Sequence, residues 1–533
     1  MADMEKLQSY LVICEGGLDS NKNHIALAQT TPGAAINLVN YEPSLFGGYR
    51  KIDGFVPLET DYEIVDSAGS EGRILIVHVM GGNIITARKT KSVSTYKYFY
   101  WTSGADWTAY TTGLTLTSTN VDKIRAVSYN LQGPESSIFV DGVNGPVLFD
   151  GTNWVEMTSS ATGADFANAG GNQLIAAPRY VTTFKNHLFV AGDDADPQIV
   201  AHSAPGADYD WTTASGAGQI NVGFAVRQIK PFRDALYVFG ANKIKKIVVS
   251  NNDFVIEDVT NNGGCLASDS VVEINGDLLF LAADGFRTVA GTERNLDVEL
   301  GVVSKKIQQD VTELIATADF DELNAVVIRR KSQVRFFFSD ENLDQGRNKG
   351  ILGGLKGDPS SAYWEWATLK GIRTACTTSA YIGNQEYVLH GDYNGGVYRQ
   401  EIGASFNGAN IEALYTTPYL DLADVFKRKT IHKIIVFVRP EAEISISAAF
   451  KFNWGSRAVS NPTPYPLEAL TDGSFYNQAN YNQAYYASSP VPFLITNVEG
   501  SFFSNNITFY SDDTLGSFSI QAIAYEYSVN GRK

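Results

Sequence analysis

Phe184-Lys185-Asn186-His187-Leu188-Phe189-Val190-Ala191-Gly192 is one of four copies of a single phrase in this chain. The others are Phe232-Arg233-Asp234-Ala235-Leu236-Tyr237-Val238-Phe239-Gly240, Ile274-Asn275-Gly276-Asp277-Leu278-Leu279-Phe280-Leu281-Ala282-Ala283-Asp284-Gly285 and the weaker Ile382-Gly383-Asn384-Gln385-Glu386-Tyr387-Val388-Leu389-His390-Gly391. Each sets a small polar turn before an apolar β-run that ends at or near glycine. Self-similar hairpins recurring, with gaps, at roughly 40 to 50 residues read as the blades of a β-propeller.

An acidic or amide residue followed by tryptophan closes several of these units: Asp106-Trp107, Asn153-Trp154, Asp210-Trp211 and Glu365-Trp366. A large ring at a fixed point of a repeat fills the wedge between adjacent sheets. Trp107, Trp154, Trp211 and Trp366 are therefore expected to be packing pegs rather than ligand contacts. Blades are expected over Ile74 to Trp107, Ile124 to Trp154, Tyr180 to Trp211, Val226 to Val259, Val271 to Val289 and Ala325 to Tyr398. The last stretch has room for two, so the count is six or seven.

Composition agrees with an all-β chain. Glycine (48), tyrosine (27) and phenylalanine (29) are abundant and methionine is scarce, as many tight turns and half-buried strands require. Helical periodicity is confined to Val303, Ile307, Val311, Leu314 and Ile315, which predicts one short amphipathic helix packed on a blade. A chain of 533 residues exceeds one ordinary core. Residues 1–60 lack the phrase and read as an extended segment laid on a propeller of residues 61–405. Beyond Asn410 the pattern changes to strict alternation, as in Ile444-Ser445-Ile446-Ser447-Ala448-Ala449-Phe450 and Phe518-Ser519-Ile520-Gln521-Ala522-Ile523-Ala524-Tyr525. Such runs belong to half-buried antiparallel strands, so residues 406–533 are expected to form a β-sandwich. A chain ending before Ser405 is then expected to fold as a propeller alone.

Charge and cysteine usage narrow the function. With 42 basic and 58 acidic residues the formal charge is −16, which opposes a protein that grips nucleic acid by its phosphates. A repelling wall still lets DNA slide past. Cys14, Cys265 and Cys376 are far apart and have no CxxC spacing, so buried free thiols are expected and no disulfide framework or zinc site. The acidic start Met-Ala-Asp-Met-Glu-Lys does not resemble a secretory leader, and no run approaches the roughly 20 apolar residues of a spanning helix. Synthesis in a cytoplasm as a soluble protein is expected.

Catalytic signals are weak. The six histidines, His24, His78, His187, His202, His390 and His432, never stand at i, i+3 or i+4, so no HExxH-type zinc chemistry is expected. His390-Gly391-Asp392 reads as a strand-end histidine beside a turn aspartate. No Gly-x-Ser-x-Gly elbow or phosphate loop occurs. Asp141, Asp150, Asp284 and Asp392 are candidates for the paired acids of a glycosidase, although aspartate is expected in any hairpin array. Phe149-Asp150-Gly151-Thr152-Asn153-Trp154 resembles an incomplete Asp-box turn. No catalytic, metal or cofactor residue is assigned, and the chain is not expected to be an enzyme. Arg88-Lys89-Thr90-Lys91 with Lys97, Lys243-Ile244-Lys245-Lys246, and Lys427-Arg428-Lys429 with Lys433 read as solvated strand ends or inter-subunit salt bridges. The segment 472–486 repeats a Tyr-Asn-Gln-Ala theme. Its Phe475, Tyr476, Tyr481, Tyr485 and Tyr486 suit a protein or glycan contact.

The opening segment carries a resemblance. Gly16-Gly17-Leu18-Asp19, Thr31 to Glu42, and Gly47-Gly48-Tyr49-Arg50-Lys51-Ile52-Asp53-Gly54-Phe55 are similar to the start of the tubular, or nozzle, tail proteins of short-tailed bacteriophages. Gly264 to Val272 running into Phe280 to Gly285, and Thr416 to Leu422 followed by Lys427-Arg428-Lys429, are also similar. The resemblance implies a propeller fused to a sandwich, assembled as a homohexamer that docks on a tail adaptor. Tail fibres and the host cell surface would be further partners, and double-stranded DNA would pass through the tube without sequence-specific contact. The location implied is the virion tail, after synthesis in the bacterial cytoplasm. The rival expectation is a tail propeller that binds, or degrades, a glycan or receptor of the host cell surface.

Overall fold

In the computed structural model the described residues are 7–58, 72–90, 94–103, 106–131, 133–157, 173–251, 253–290, 302–340, 342–357, 362–422, 424–456, 460–469 and 492–530. The chain is all-β, a seven-bladed propeller joined to a β-sandwich. Blades 1 to 4 are four-stranded meanders over Ile74–Ala109, Arg125–Glu156, Tyr180–Asn221 and Gln228–Thr260. Blade 5 has three described strands within Val272–Thr288, and blade 6 has four within Asn324–Lys370. Blade 7 takes three strands from Cys376–Gln400 and its fourth, Phe55–Pro57, from the N-terminal segment. The stretch after Ala325 thus holds two blades. The innermost strand of blade 7, Cys376–Ile382, lies beside that of blade 1, Ile74–Met80, which closes the ring.

The repeated phrase is the hairpin between the first two strands of a blade. Its two-residue turns pair Phe184 with His187, Phe232 with Ala235, Ile274 with Asp277 and Ile382 with Gln385. Lys185-Asn186 and Asn275-Gly276 both take positive φ, the geometry that matches strand twist. The run after the turn is apolar at every position because the second strand is buried on both faces. In blade 4, Leu236 and Val238 pack against blade 3 while Tyr237 and Phe239 pack against blade 5. Leu278, Phe280 and Ala282 of blade 5 likewise face blade 4, and Leu279 and Leu281 join the core on the other side.

Three of the tryptophan pegs sit deep in these wedges. Trp154 stacks on Tyr98 of blade 1 at 4.2 Å, and Trp211 is fully buried between blades 2 and 3 with its indole N–H donating to the Asp208 carbonyl. Trp366 stacks on Phe286 of blade 5 and donates to the Val303 carbonyl. Trp107 is half-buried, at the margin of the cluster between blades 7 and 1. The predicted helix is Gln308–Thr317, preceded by a 3-10 turn at Lys305–Ile307, with Val311 buried. A second, shorter helix spans His24–Thr30.

The C-terminal strands form two facing sheets. One runs through Lys429–Pro440, with Phe518–Val529 on one side and Phe493–Phe502 on the other, and the N-terminal strand Gln8–Ile13 adds to Phe518–Val529. The other contains Ile411–Thr416, Asn505–Asp513, Ile444–Phe452 and Tyr465–Ala469. The latter is continuous with blade 6, because Asn37–Val39 bridges Tyr363–Lys370 to Ile411–Thr416. One apolar core consequently runs from Leu281 and Val334 of the blades to Val436 and Ile446 of the sandwich. The breaks expected at 60/61 and 405/406 are crossed by sheet pairing on both sides: residues 1–60 are woven into the propeller and the sandwich.

Candidate functional site

Why the N-terminal segment has its composition follows from what it crosses. Gly48 has φ +80°, and a Cβ there would lie 2.1 Å from the Ile520 carbonyl oxygen; one on Gly54 would lie 1.9 Å from that of Ser405. Only glycine lets the backbones approach so closely. Between these crossings Tyr49 is fully buried, donating to the Gly33 carbonyl at 2.9 Å and accepting from the Gly17 amide at 3.0 Å. Of the glycines that carry the sequence resemblance, Gly17, Gly48 and Gly54 are thus contact points between the segment and the rest of the chain, while Gly16 and Gly33 pack within the segment itself.

Charges complete this weld. Arg335 of blade 6 is fully buried and meets Glu401 at 2.5 Å and Glu42 at 3.3 Å, while Lys331 pairs with Glu42 at 2.7 Å and with Glu401. Arg50 joins Glu42 and Asp53 to Glu441 of the sandwich, and Lys51 reaches Asp513 at 2.7 Å. Burial alone would raise the Glu401 carboxyl, but Arg335 and Lys331 hold it well below the usual range. Such a network is costly to break, because removing one partner leaves the others charged and buried.

The outer face of the first sandwich sheet carries two apolar rows across four strands, beside a polar row of Ser9, Glu526, Lys433 and Asn497. Register places Leu11, Ala524, Ile435 and Ile495 in one row and Ile13, Ala522, Phe437 and Phe493 in the next. Leu11 and Ile13 are each 57% exposed, Ile495 52% and Phe493 39%, while Val12, Val436 and Leu494 between them point into the core. Leu45 and Phe46 project beside this face, with the Arg439 guanidinium 3.6 Å over the Phe46 ring. The exposed rows amount to on the order of 500 Å² of apolar surface, at the upper end for a free monomer. A second exposed apolar group lies near the Lys429 end of the sandwich: Val425, Phe426, Phe503, and Trp454 stacked on Tyr419 at 4.3 Å. The first face leaves one signal in the sequence: Ile434-Ile435-Val436-Phe437-Val438 lacks the polar alternation of a sheet with one wet side.

A cavity of about 300 Å³ runs down the propeller axis, lined by residues of all seven innermost strands and the segments entering them. Lys123, Arg125, Lys230 and Asp269 supply its charge.

The candidate acids do not form a pair; each serves its own turn. Asp141 accepts from the Val143 and Asn144 amides, Asp150 from those of Thr152 and Asn153, and Asp392 from those of Asn394 and Gly396. Asp284 pairs with Arg287. His390 is buried against Phe55 and Tyr398. Members of the basic clusters pair within the chain rather than between subunits: Lys245 with Asp258, Lys246 with Glu257 and Lys433 with Glu526 across paired strands, Lys89 with Asp122 of a loop, and Lys427 with Asp424 inside one turn. Cys14, Cys265 and Cys376 are free and buried, and burial pushes each thiol up to about 12. Phe475, Tyr476, Tyr481, Tyr485 and Tyr486 lie outside the described residues.

No protein-family profile matches this sequence, and no curated protein sequence does. Among solved structures, a glycoside hydrolase family 43 arabinoxylan arabinofuranohydrolase from Bacillus subtilis is 9% identical, with 87% of this chain and 96% of that one covered and a TM-score of 0.25. An ancestral GH74 enzyme is 10% identical, covering 69% of this chain and 50% of its own, at a TM-score of 0.35. The Neurospora crassa Pan2 WD40 domain is 7% identical, covering 66% and 95%, at 0.34. Likenesses this distant bear on neither activity nor substrate.

Proposed function

We propose that this chain is a structural, non-enzymatic subunit of a short-tailed bacteriophage tail nozzle, assembling into a ring of identical copies, a hexamer, that docks on a tail adaptor and conducts DNA. The observation that carries the reading is the outward apolar face built on Leu11, Ile13, Ile435, Phe437, Phe493 and Ile495. Its occupant is a second copy of this chain. Two different exposed apolar surfaces on one welded body suit a heterologous, head-to-tail contact, the kind that closes into rings. The face with Leu45 and Phe46 offers about 700 Å², close to the roughly 800 Å² per partner of a stable interface. The resemblance of residues 16–55 to nozzle proteins and the net charge of −16, which disfavours trapping of DNA, support the same reading.

Mass photometry and negative-stain imaging of the full chain, alone and with an adaptor protein, test it. Rings of one stoichiometry are expected, and Leu11→Glu with Ile495→Glu should yield folded monomers. A wild-type chain that stays monomeric and ignores the adaptor overturns the reading. Binding of the isolated monomer on a glycan array would favour the receptor-binding alternative.

A further inference from the structure

The axial cavity of the propeller carries an arrangement that the nozzle reading does not use. Lys123 and Arg125, on the entry to and first residue of the innermost strand of blade 2, converge on Asp269. Lys123 Nζ lies 3.1 Å from Oδ2 and donates to the Leu323 carbonyl at 2.7 Å; Arg125 holds Asp269 through Nε at 2.8 Å and a terminal nitrogen at 2.9 Å. The Arg125 guanidinium lies 5.0 Å over the Tyr180 ring, whose hydroxyl is 2.8 Å from Ser268 Oγ. One carboxylate is thus shared by two cations fixed from several sides.

Lys230 is the third cation. It lines the same cavity from the innermost strand of blade 4, is half-buried, and makes no hydrogen bond or ion pair among the described residues. The charged groups that act on it are Asp269 and Glu273, which favour its charge, and Arg329, which opposes it. Asp269 is already engaged by Lys123 and Arg125, and Glu273 is exposed to solvent. The cavity lining therefore holds three cations against one carboxylate, inside a protein whose net charge is strongly negative.

We propose that the propeller axis is a binding site for a small phosphate-type oxyanion, with Lys230 as the direct ligand and the Lys123–Arg125–Asp269 cluster as the fixed positive field behind it. A half-buried ammonium with no fixed partner gains a charge-assisted hydrogen bond when an oxyanion arrives. The Thr182, Thr377 and Thr378 residues and the Gln228 amide line the same space, which is large enough for a phosphate group alone or one carried on a nucleoside. Burial lowers the Lys230 pKa, and a bound anion opposes that shift, so binding at alkaline pH takes up protons.

Isothermal titration calorimetry of inorganic phosphate and, separately, of adenosine monophosphate into the full chain at constant ionic strength tests the proposal. Saturable binding is expected for at least one probe, and the arm that binds more tightly identifies a free or a nucleoside-borne phosphate. Lys230→Met should weaken it by about tenfold or more without lowering the thermal midpoint of the ligand-free protein; Lys230→Gln provides the same readout if the methionine variant misfolds. Measurement in two buffers of different ionisation heat reads the proton uptake. Absence of saturation up to about 10 mM of either probe, or equal affinity in wild type and Lys230 variants, overturns the site.

Discussion

His390 gives the chain a measurable acid sensitivity located where the ring closes. The imidazole is 1% exposed, stacked on Tyr398 at 5.0 Å and edge-on to Phe55 of the closing strand at 4.9 Å. Gln400 Nε2 lies 3.2 Å from Nδ1, and the Gln400 side-chain oxygen in turn accepts from Arg335. Burial lowers the His390 pKa from 6.5 to about 3. The folded state therefore binds fewer protons than the unfolded state between those values. The neutral ring's contribution is complete above pH 6.5 and is lost as pH falls toward 3. At pH 5 the loss is about 1.5 units at 1.36 kcal/mol each, or about 2 kcal/mol. His390→Gln removes the titration but keeps an amide beside Gln400. Urea unfolding of both proteins at about pH 8 and pH 5 should show the stability gap between wild type and variant shrinking by about 2 kcal/mol at the lower pH. A gap that is unchanged, or that widens, refutes the assignment.

Other expectations follow from the weld. Glu401→Gln leaves Arg335 and Lys331 buried with one carboxylate fewer and should cost about 3 kcal/mol or more in denaturant unfolding. Gly48→Ala forces a Cβ toward the Ile520 carbonyl at positive φ and should cost more than about 2 kcal/mol, read as a lower thermal midpoint. Phe55→Ala removes a ring packed on His390, Tyr398 and Phe406 and should cost about 3 to 5 kcal/mol, with hydrogen exchange rising in Cys376–Gln400. A chain ending before Ser405 strips one side from the core that holds Leu281, Trp366 and Val436 together. It should be insoluble or bind a hydrophobic dye, and a soluble, cooperatively folding fragment would refute the shared core.

The repeat, the turn chemistry and the period-two alternation by themselves determined that this chain is a propeller followed by a sandwich, because these signals are local. A two-residue turn at Lys185-Asn186 and a double-faced apolar strand after it need no distant partner to be recognised. Three of the tryptophan pegs, Trp154, Trp211 and Trp366, were equally legible, whereas Trp107 lies half-buried at the margin of its cluster. Only the tertiary structure decided that there are seven blades, that Phe55–Pro57 completes the last one, and that propeller and sandwich share a core. A three-residue strand leaves no periodicity, and its partner Tyr398–Gln400 lies at the far end of the propeller sequence. The same holds for the charges. Glu42, Arg335 and Glu401 are unremarkable in sequence and acquire meaning when three distant segments bury them together, and Lys230 becomes a candidate ligand only because folding places it on an axis where its acidic neighbour Asp269 is already taken.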